Sequence, residues 1–264
     1  METGHDVSLN TATATVLFDN KNAGNGKTVT LSNLELTGTD AGSYVINDQY
    51  ASADIYTKAL VVEANSESKT YGQADPEFTA LFNGFISGEN ESVLDGELSV
   101  TRASGEDVDT YTITPAGLSS NNYSITFQTG LFTINAKELI VTANNAEKVY
   151  GSTDPVLTAS YSGFEFGENQ SVLSGELQLT REAGEDVDTY SITPSGLSAN
   201  NYSLSYVNGM FTITPKALTI IAENKNKVYG SEDPTFSVVY NGFVSGEDET
   251  ALSGSLAIDR IAGE

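Results

Sequence analysis

Apolar residues fall along this chain in short runs divided by glycine, asparagine and aspartate. Tyr111 and Ile113, then Tyr123, Ile125 and Phe127, alternate with polar residues, as strands with one buried face do. Leu60-Val61-Val62 and Leu139-Ile140-Val141 are denser and predict an opening strand covered on both faces. Further strands are predicted over residues 78–82, 97–101, 110–114, 123–127 and 131–135. Gln128-Thr129-Gly130 would join the last two as a hairpin. Tyr71-Gly72 followed by Asp75-Pro76 reads as turn chemistry, because glycine permits positive φ while proline fixes its own φ and restricts the residue before it. The single helical signal covers residues 87–94, with Ser87 as a cap and acids in the first turn, stopped by Asp95-Gly96. The expectation is a mainly β chain with at most one short helix per unit. That helix favours a β-grasp-like arrangement, with an Ig-like sandwich as the alternative.

The pattern recurs. Sliding the sequence along itself superposes Tyr71-Gly72, Tyr150-Gly151 and Tyr229-Gly230, and by the same step Arg102, Arg181 and Arg260. Residues 59–137 and 138–216 are identical at 46 of 79 positions with no insertion. A fixed period of this size denotes an array of like units. The division expected is a partial, related unit over 1–58, full repeats over 59–137 and 138–216, and a truncated repeat over 217–264. In the first unit Val29, Leu31, Leu34 and Leu36 are the inward candidates. The joints around Ala136-Lys137 and Pro215-Lys216 hold no glycine- or serine-rich tract, which predicts units stacked end to end as a semi-rigid, elongated array.

Charge narrows the partners. Formal net charge is −24, and it is spread evenly: 59–137 holds 11 acids and 3 bases, 138–216 holds 10 and 3. Nucleic acids and anionic membranes call for a positive footprint, so neither is an expected partner. No apolar run is long enough to span a bilayer, and the opening residues are polar rather than signal-like. Because Glu264 falls in mid-repeat, the chain reads as a piece of something longer, with its last repeat the least stable part. There is no cysteine, so no disulfide or thiolate site supplements the small cores.

Candidate chemistry is sparse. His5 is the sole histidine and lies outside the repeats, so no repeat can assemble a histidine-activated nucleophile; it reads as a solvated residue. Glu106, Asp107 and Asp109, with Glu185, Asp186 and Asp188, are the paired carboxylates. Glycoside hydrolysis would require a cleft and one acid of raised pKa, which a repeated glycine-flanked turn supplies poorly. As calcium ligands the six are better placed, though the full loop signature is missing and solvated turn acids are the simpler reading. Arg102 and Arg181 each precede a glutamate by four positions and predict an ion pair bracing a turn. Asn122 and Asn201 match a glycosylation acceptor pattern but read as turn residues of left-handed backbone.

Taken together, K-x-Y-G-x-x-D-P, G-F-x-x-G-E, A-G-E-D-V-D-T-Y-x-I-T-P, N-N-Y-S and F-T-I-T-P-K-A-L-T-I resemble the MBG domain of the YGX type. Residues 1–58, with F-D-N-K-N-A-G-N-G-K-T-V and L-T-G-T-D-A-G-S-Y, are similar to the C-terminal part of a YDG-type repeat. The resemblance implies tandem arrays in large secreted or surface-attached bacterial proteins of adhesin type, and it brings no catalytic residues or cofactor. The first function expected is structural, as spacer repeats that project a distal region from the cell, with neighbouring repeats as the first partners. The alternative is that the repeats themselves grip an extracellular glycan or host protein, and a carbohydrate-active enzyme is a distant third.

Overall fold

The computed structural model describes residues 4–261 and 263. The chain forms two compact units, one up to Asn135 and one from Ala136 onward. In the first, strands β1 (Ser8–Asn10) and β4 (Glu35–Thr37) pair with each other, while β2 (Thr15–Phe18), β3 (Gly24–Ser32) and β5 (Gln49–Ile55) form a sheet in that order. No described residue of this segment is fully buried, and Val29, Leu31, Leu34 and Leu36 are at most half-buried. His5 is exposed yet engaged: the Tyr44 hydroxyl is hydrogen-bonded to its Nδ1 at 2.9 Å, with the rings edge to face.

The first full repeat runs through β6 (Lys58–Ala64), β7 (Glu67–Thr70), β8 (Ala80–Asn83), β9 (Asp95–Arg102), β10 (Thr110–Ser119), β11 (Tyr123–Gln128) and β12 (Gly130–Asn135). They form two sheets, β11-β6-β8 and β7-β12-β10-β9. The expected hairpin of the last two strands is not formed. β11 lies parallel to β6 in one sheet and β12 lies parallel to β7 in the other. Both parallel pairs have the same offset along the chain, with Lys58 against Tyr123 and Glu67 against Phe132. The two strands therefore cross from sheet to sheet together and keep register. Gly130 sits at the crossing because any Cβ there would meet the Ala64 and Asn65 carbonyl oxygens at 2.6 and 2.8 Å.

The core follows the two-residue period. Leu60, Val62 and Ala64 of β6, Ile113 and Pro115 of β10, Tyr123 of β11, and Phe132 and Ile134 of β12 are buried. Val61 is half-buried and Glu63 exposed, so β6 is fully covered on one face only. β10 extends well past Thr114, with a bulge between Ala116 and Leu118. β8 starts at Ala80 rather than at 78; Phe78 sits in the irregular segment before it, its ring edge-on to Phe132 with centroids 5.3 Å apart. Residues 87–94 hold a single 3-10 turn, Glu91–Val93, instead of a helix, and Asn90 caps it by accepting the Ser92 amide at 2.9 Å. No α-helix occurs among the described residues.

The second unit opens with the same architecture: β13 (Lys137–Ala143), β14 (Ala146–Val149), β15 (Ala159–Ser162), β16 (Ser174–Arg181), β17 (Thr189–Ser198), β18 (Tyr202–Val207) and β19 (Gly209–Thr214). Its sheets run β15-β13-β18 and β14-β19-β17-β16, with parallel partners at the same offset, Lys137 against Tyr202 and Ala146 against Phe211. Among the described residues the last repeat forms two strands, β20 (Thr219–Ala222) and β21 (Val238–Asn241), paired antiparallel, and a 3-10 turn, Glu249–Ala251. Residues 255–259, which by the repeat period correspond to the strand predicted over 97–101, are not a strand. In the full repeats that strand, β9 or β16, bonds only to β10 or β17, whose counterpart is not in this sequence. β20 and β21 survive because they pair with each other.

Candidate functional site

Four polar residues that hold the repeat period converge on one place in each full repeat. β7 brings Lys69 inward at an alternating position, and its side chain is 4% exposed. Ionised side chains are buried only when paired. Lys69 Nζ donates to Asp75 Oδ1 at 2.7 Å and to Glu106 Oε2 at 2.5 Å. Arg102, from the end of β9, lies beside it and donates through Nε to Asp75 Oδ2 at 2.6 Å and through Nη2 to Glu106. Its Nη1 reaches the Ala103 and Gly105 carbonyls at 2.9 and 2.6 Å, closing the turn after β9. Beneath, the guanidinium stands 4.9 Å from the Phe132 ring centroid and 5.5 Å from that of Tyr111, within cation–π range.

Every residue of the arrangement returns in the second repeat. Lys148 donates to Asp154 at 2.6 Å and Glu185 at 2.5 Å, Arg181 to Asp154 at 2.6 Å and Glu185 at 2.5 Å, over Phe211 and Tyr190. In the last repeat Lys227 and Arg260 still meet Asp233, at 2.8 and 2.5 Å. Asp75 and Asp154 supply two oxygens to two cations, which explains an aspartate fixed by the following proline at the start of an irregular segment.

The electrostatics agree with the geometry. The bonds from Arg102, then Lys69, hold Asp75 below the ordinary carboxylate range, and Lys69 followed by Arg102 does the same for Glu106. Burial works to lower the Lys69 pKa, but the bonds to Asp75 and Glu106 outweigh it and the net direction is upward. Such a network fixes charge; it leaves no member poised near neutrality for proton transfer.

Of the six turn carboxylates singled out from sequence, Glu106 and Glu185 belong to these networks. Asp109 Oδ1 and Asp188 Oδ1 accept the amides of Thr110 and Thr189 at 2.7 and 2.8 Å. The Asp107 and Asp186 carbonyls accept the Tyr111 and Tyr190 hydroxyls at 2.9 and 3.0 Å. Among the described residues no group of three or more carboxylates or histidines is gathered as for a metal ion. The Arg102–Glu106 pair expected from spacing is present, but spacing does not reveal Lys69 and Asp75 as its partners. A lysine at an inward position of β7, a strand too short to stand out in the sequence, is the available signal. Asn122 does not take left-handed backbone. Its side chain instead accepts the Ala23 amide at 2.9 Å and donates to Asn22 at 3.1 Å.

The motif residues are those of a known family. The MBG domain (YGX type) matches residues 60–133, 139–212 and 218–264. The chain belongs to the MBG domain (YGX type) family. The YDG domain matches residues 2–53, ahead of the three MBG repeats. No curated protein matches the chain. No helix among the described residues is long and apolar enough to cross a membrane.

Proposed function

We propose that these MBG repeats are structural: spacer units of a secreted or surface-attached bacterial protein of adhesin type, holding a distal region away from the cell. One observation carries the reading. Four of the polar residues that the repeats share, Lys69, Asp75, Arg102 and Glu106 with their counterparts, are engaged by one another and by the turn they close. What is repeated is the means of holding a small β domain together without disulfides or a large core. A recognition site repeated for binding would instead keep its shared polar groups open to a ligand. The acidic surface suits neighbours kept apart in solution. No reaction is assigned to the repeats.

Small-angle scattering on the monomeric chain tests the proposal. A spacer array gives a maximum dimension far above that of a compact sphere of this mass, and a compact profile overturns the reading. Binding of a glycan or host protein that strengthens with the number of repeats would favour the binding-module alternative instead.

A further inference from the structure

Each MBG repeat carries a glutamate in the turn after its second apolar strand: Glu89, Glu168 and Glu247. Its two oxygens have different neighbours. In the first repeat Tyr123 donates to Glu89 Oε2 at 2.6 Å, and in the second Tyr202 donates to Glu168 Oε2. These tyrosines belong to the glutamate's own repeat. Where a preceding segment lies in the same compact unit, Oε1 faces it. Lys21 of the YDG segment lies 3.6 Å from Glu89 Oε1, and the Tyr150 hydroxyl of the second repeat donates to Glu247 Oε1 at 2.5 Å.

Tyr150 is the tyrosine of the Tyr-Gly pair. Its ring packs on its own repeat's core of Ala143, Ile192, Phe211 and Ile213, and its hydroxyl reaches across to the next repeat. Gly151 beside it shows why glycine is required. Its φ is +76°, and a Cβ there would fall 2.4 Å from Val244 Cγ2. Tyr229 and Gly230 form the same turn with nothing seated on the glycine: a Cβ on Gly230, at φ +81°, would meet nothing within 4 Å, while the 91% exposure of Tyr229 follows from a repeat without counterparts of Ile192, Phe211 and Ile213.

We infer that the Tyr150–Gly151 turn is a docking surface for the following repeat, whose partner is a turn bearing an apolar residue three positions before a glutamate, here Val244 and Glu247. The glycine admits the apolar side chain, the tyrosine hydroxyl takes one carboxylate oxygen, and Gly230 repeats the glycine of this surface with nothing against it. Tyr-Gly thus sets which neighbour fits as well as how its own repeat turns. The inference rests on the geometry of this joint and not on the spacer role, and each can fail alone.

Paired variants of the full chain test it, with magnetic resonance as the readout. Gly151→Ala and Gly230→Ala carry the same positive-φ cost, but only the first meets Val244. The expected result is that Gly151→Ala abolishes the proton contacts between the Val244 methyls and Gly151. It should also speed exchange of the Glu247 amide, bonded to the Val244 carbonyl at 3.0 Å, by about tenfold. Gly230→Ala should change that rate by less than about twofold. Tyr150→Phe keeps the ring and should loosen Glu247 without lowering protection at Phe211 and Ile213, whereas Tyr229→Phe should do nothing. Should Gly151→Ala unfold the second repeat, the Tyr150→Phe comparison decides. Equal effects from the members of either pair, or no Val244–Gly151 contact in the parent chain, overturn the inference.

Discussion

Changing Asp75 to asparagine tests the ionic network most directly, because the two cations it serves are buried and it is not. Lys69 and Arg102 side chains are 4% and 9% exposed, and Asp75 is 31% exposed. The amide would keep the shape and lose the charge, leaving Glu106 as the sole carboxylate for both cations. Breaking a buried pair by removing one partner costs about 3–5 kcal/mol. The remaining glutamate and the partial exposure of Asp75 put the expected loss below that range, at about 2–3 kcal/mol. Lys69→Met reverses the logic, since it removes a buried charge, fills the same volume and leaves both acids paired with Arg102; its cost should stay below about 1 kcal/mol. Native-state amide exchange on the full chain resolves the two, because the second repeat is an internal reference. For Asp75→Asn, exchange in Gly130–Asn135 should rise about 30- to 150-fold, while Gly209–Thr214 keeps its rate. For Lys69→Met the rise should be under about fivefold. A rise for Asp75→Asn no larger than that for Lys69→Met would refute the argument that unpaired buried cations dominate the cost.

Acid should act through the same groups. Asp75 and Glu106 have folded pKa values held below their ordinary ones, chiefly by Arg102 and Lys69 respectively. Their contribution is therefore present above the ordinary carboxylate range and is lost as pH falls below about 4. Lys69, raised in the fold, contributes below the ordinary ammonium value and loses its part only above about pH 10.4, so protection of Gly130–Asn135 should be flat between those limits. Phe211→Ala removes a fully buried ring lying under both Lys148 and Arg181 and should cost about 3–5 kcal/mol in the second repeat, read as loss of protection in Thr189–Ser198. In the last repeat, where Ile220 and Ile221 of β20 are about half exposed, amides of Val238–Asn241 should exchange faster than those of Ala159–Ser162; equal protection in a dilute monomer would contradict this. Calcium titration should give no saturable heat, because Glu106 and Glu185 would have to leave a lysine and an arginine to bind it.

Local chemistry determined a good deal of this protein from its sequence. The repeat period, the alternating strands at Tyr111–Ile113 and Tyr123–Phe127, and the turns at Tyr-Gly and Asp-Pro all follow from side-chain periodicity and backbone restriction, which act over a short stretch of chain. The Arg102–Glu106 pair was legible for the same reason, being four positions apart on either side of one turn. Only the tertiary structure decided which strands pair. β11 and β12 are separated by Thr129 alone, which by local rules invites a hairpin. They join different sheets because each finds a parallel partner at the far start of the repeat, in β6 and β7. Pairing over that distance has no local signature, since it is settled by which apolar faces meet. The same holds for Lys69 and Asp75, whose role depends on β7 and the irregular segment after it bringing them to Arg102 and Glu106. It holds again for residues 255–259, whose alternation matches a strand but which stay irregular without a neighbour to bond. A strand's pattern sets the face it can bury; the ladder that makes it a strand belongs to the residues on the other side.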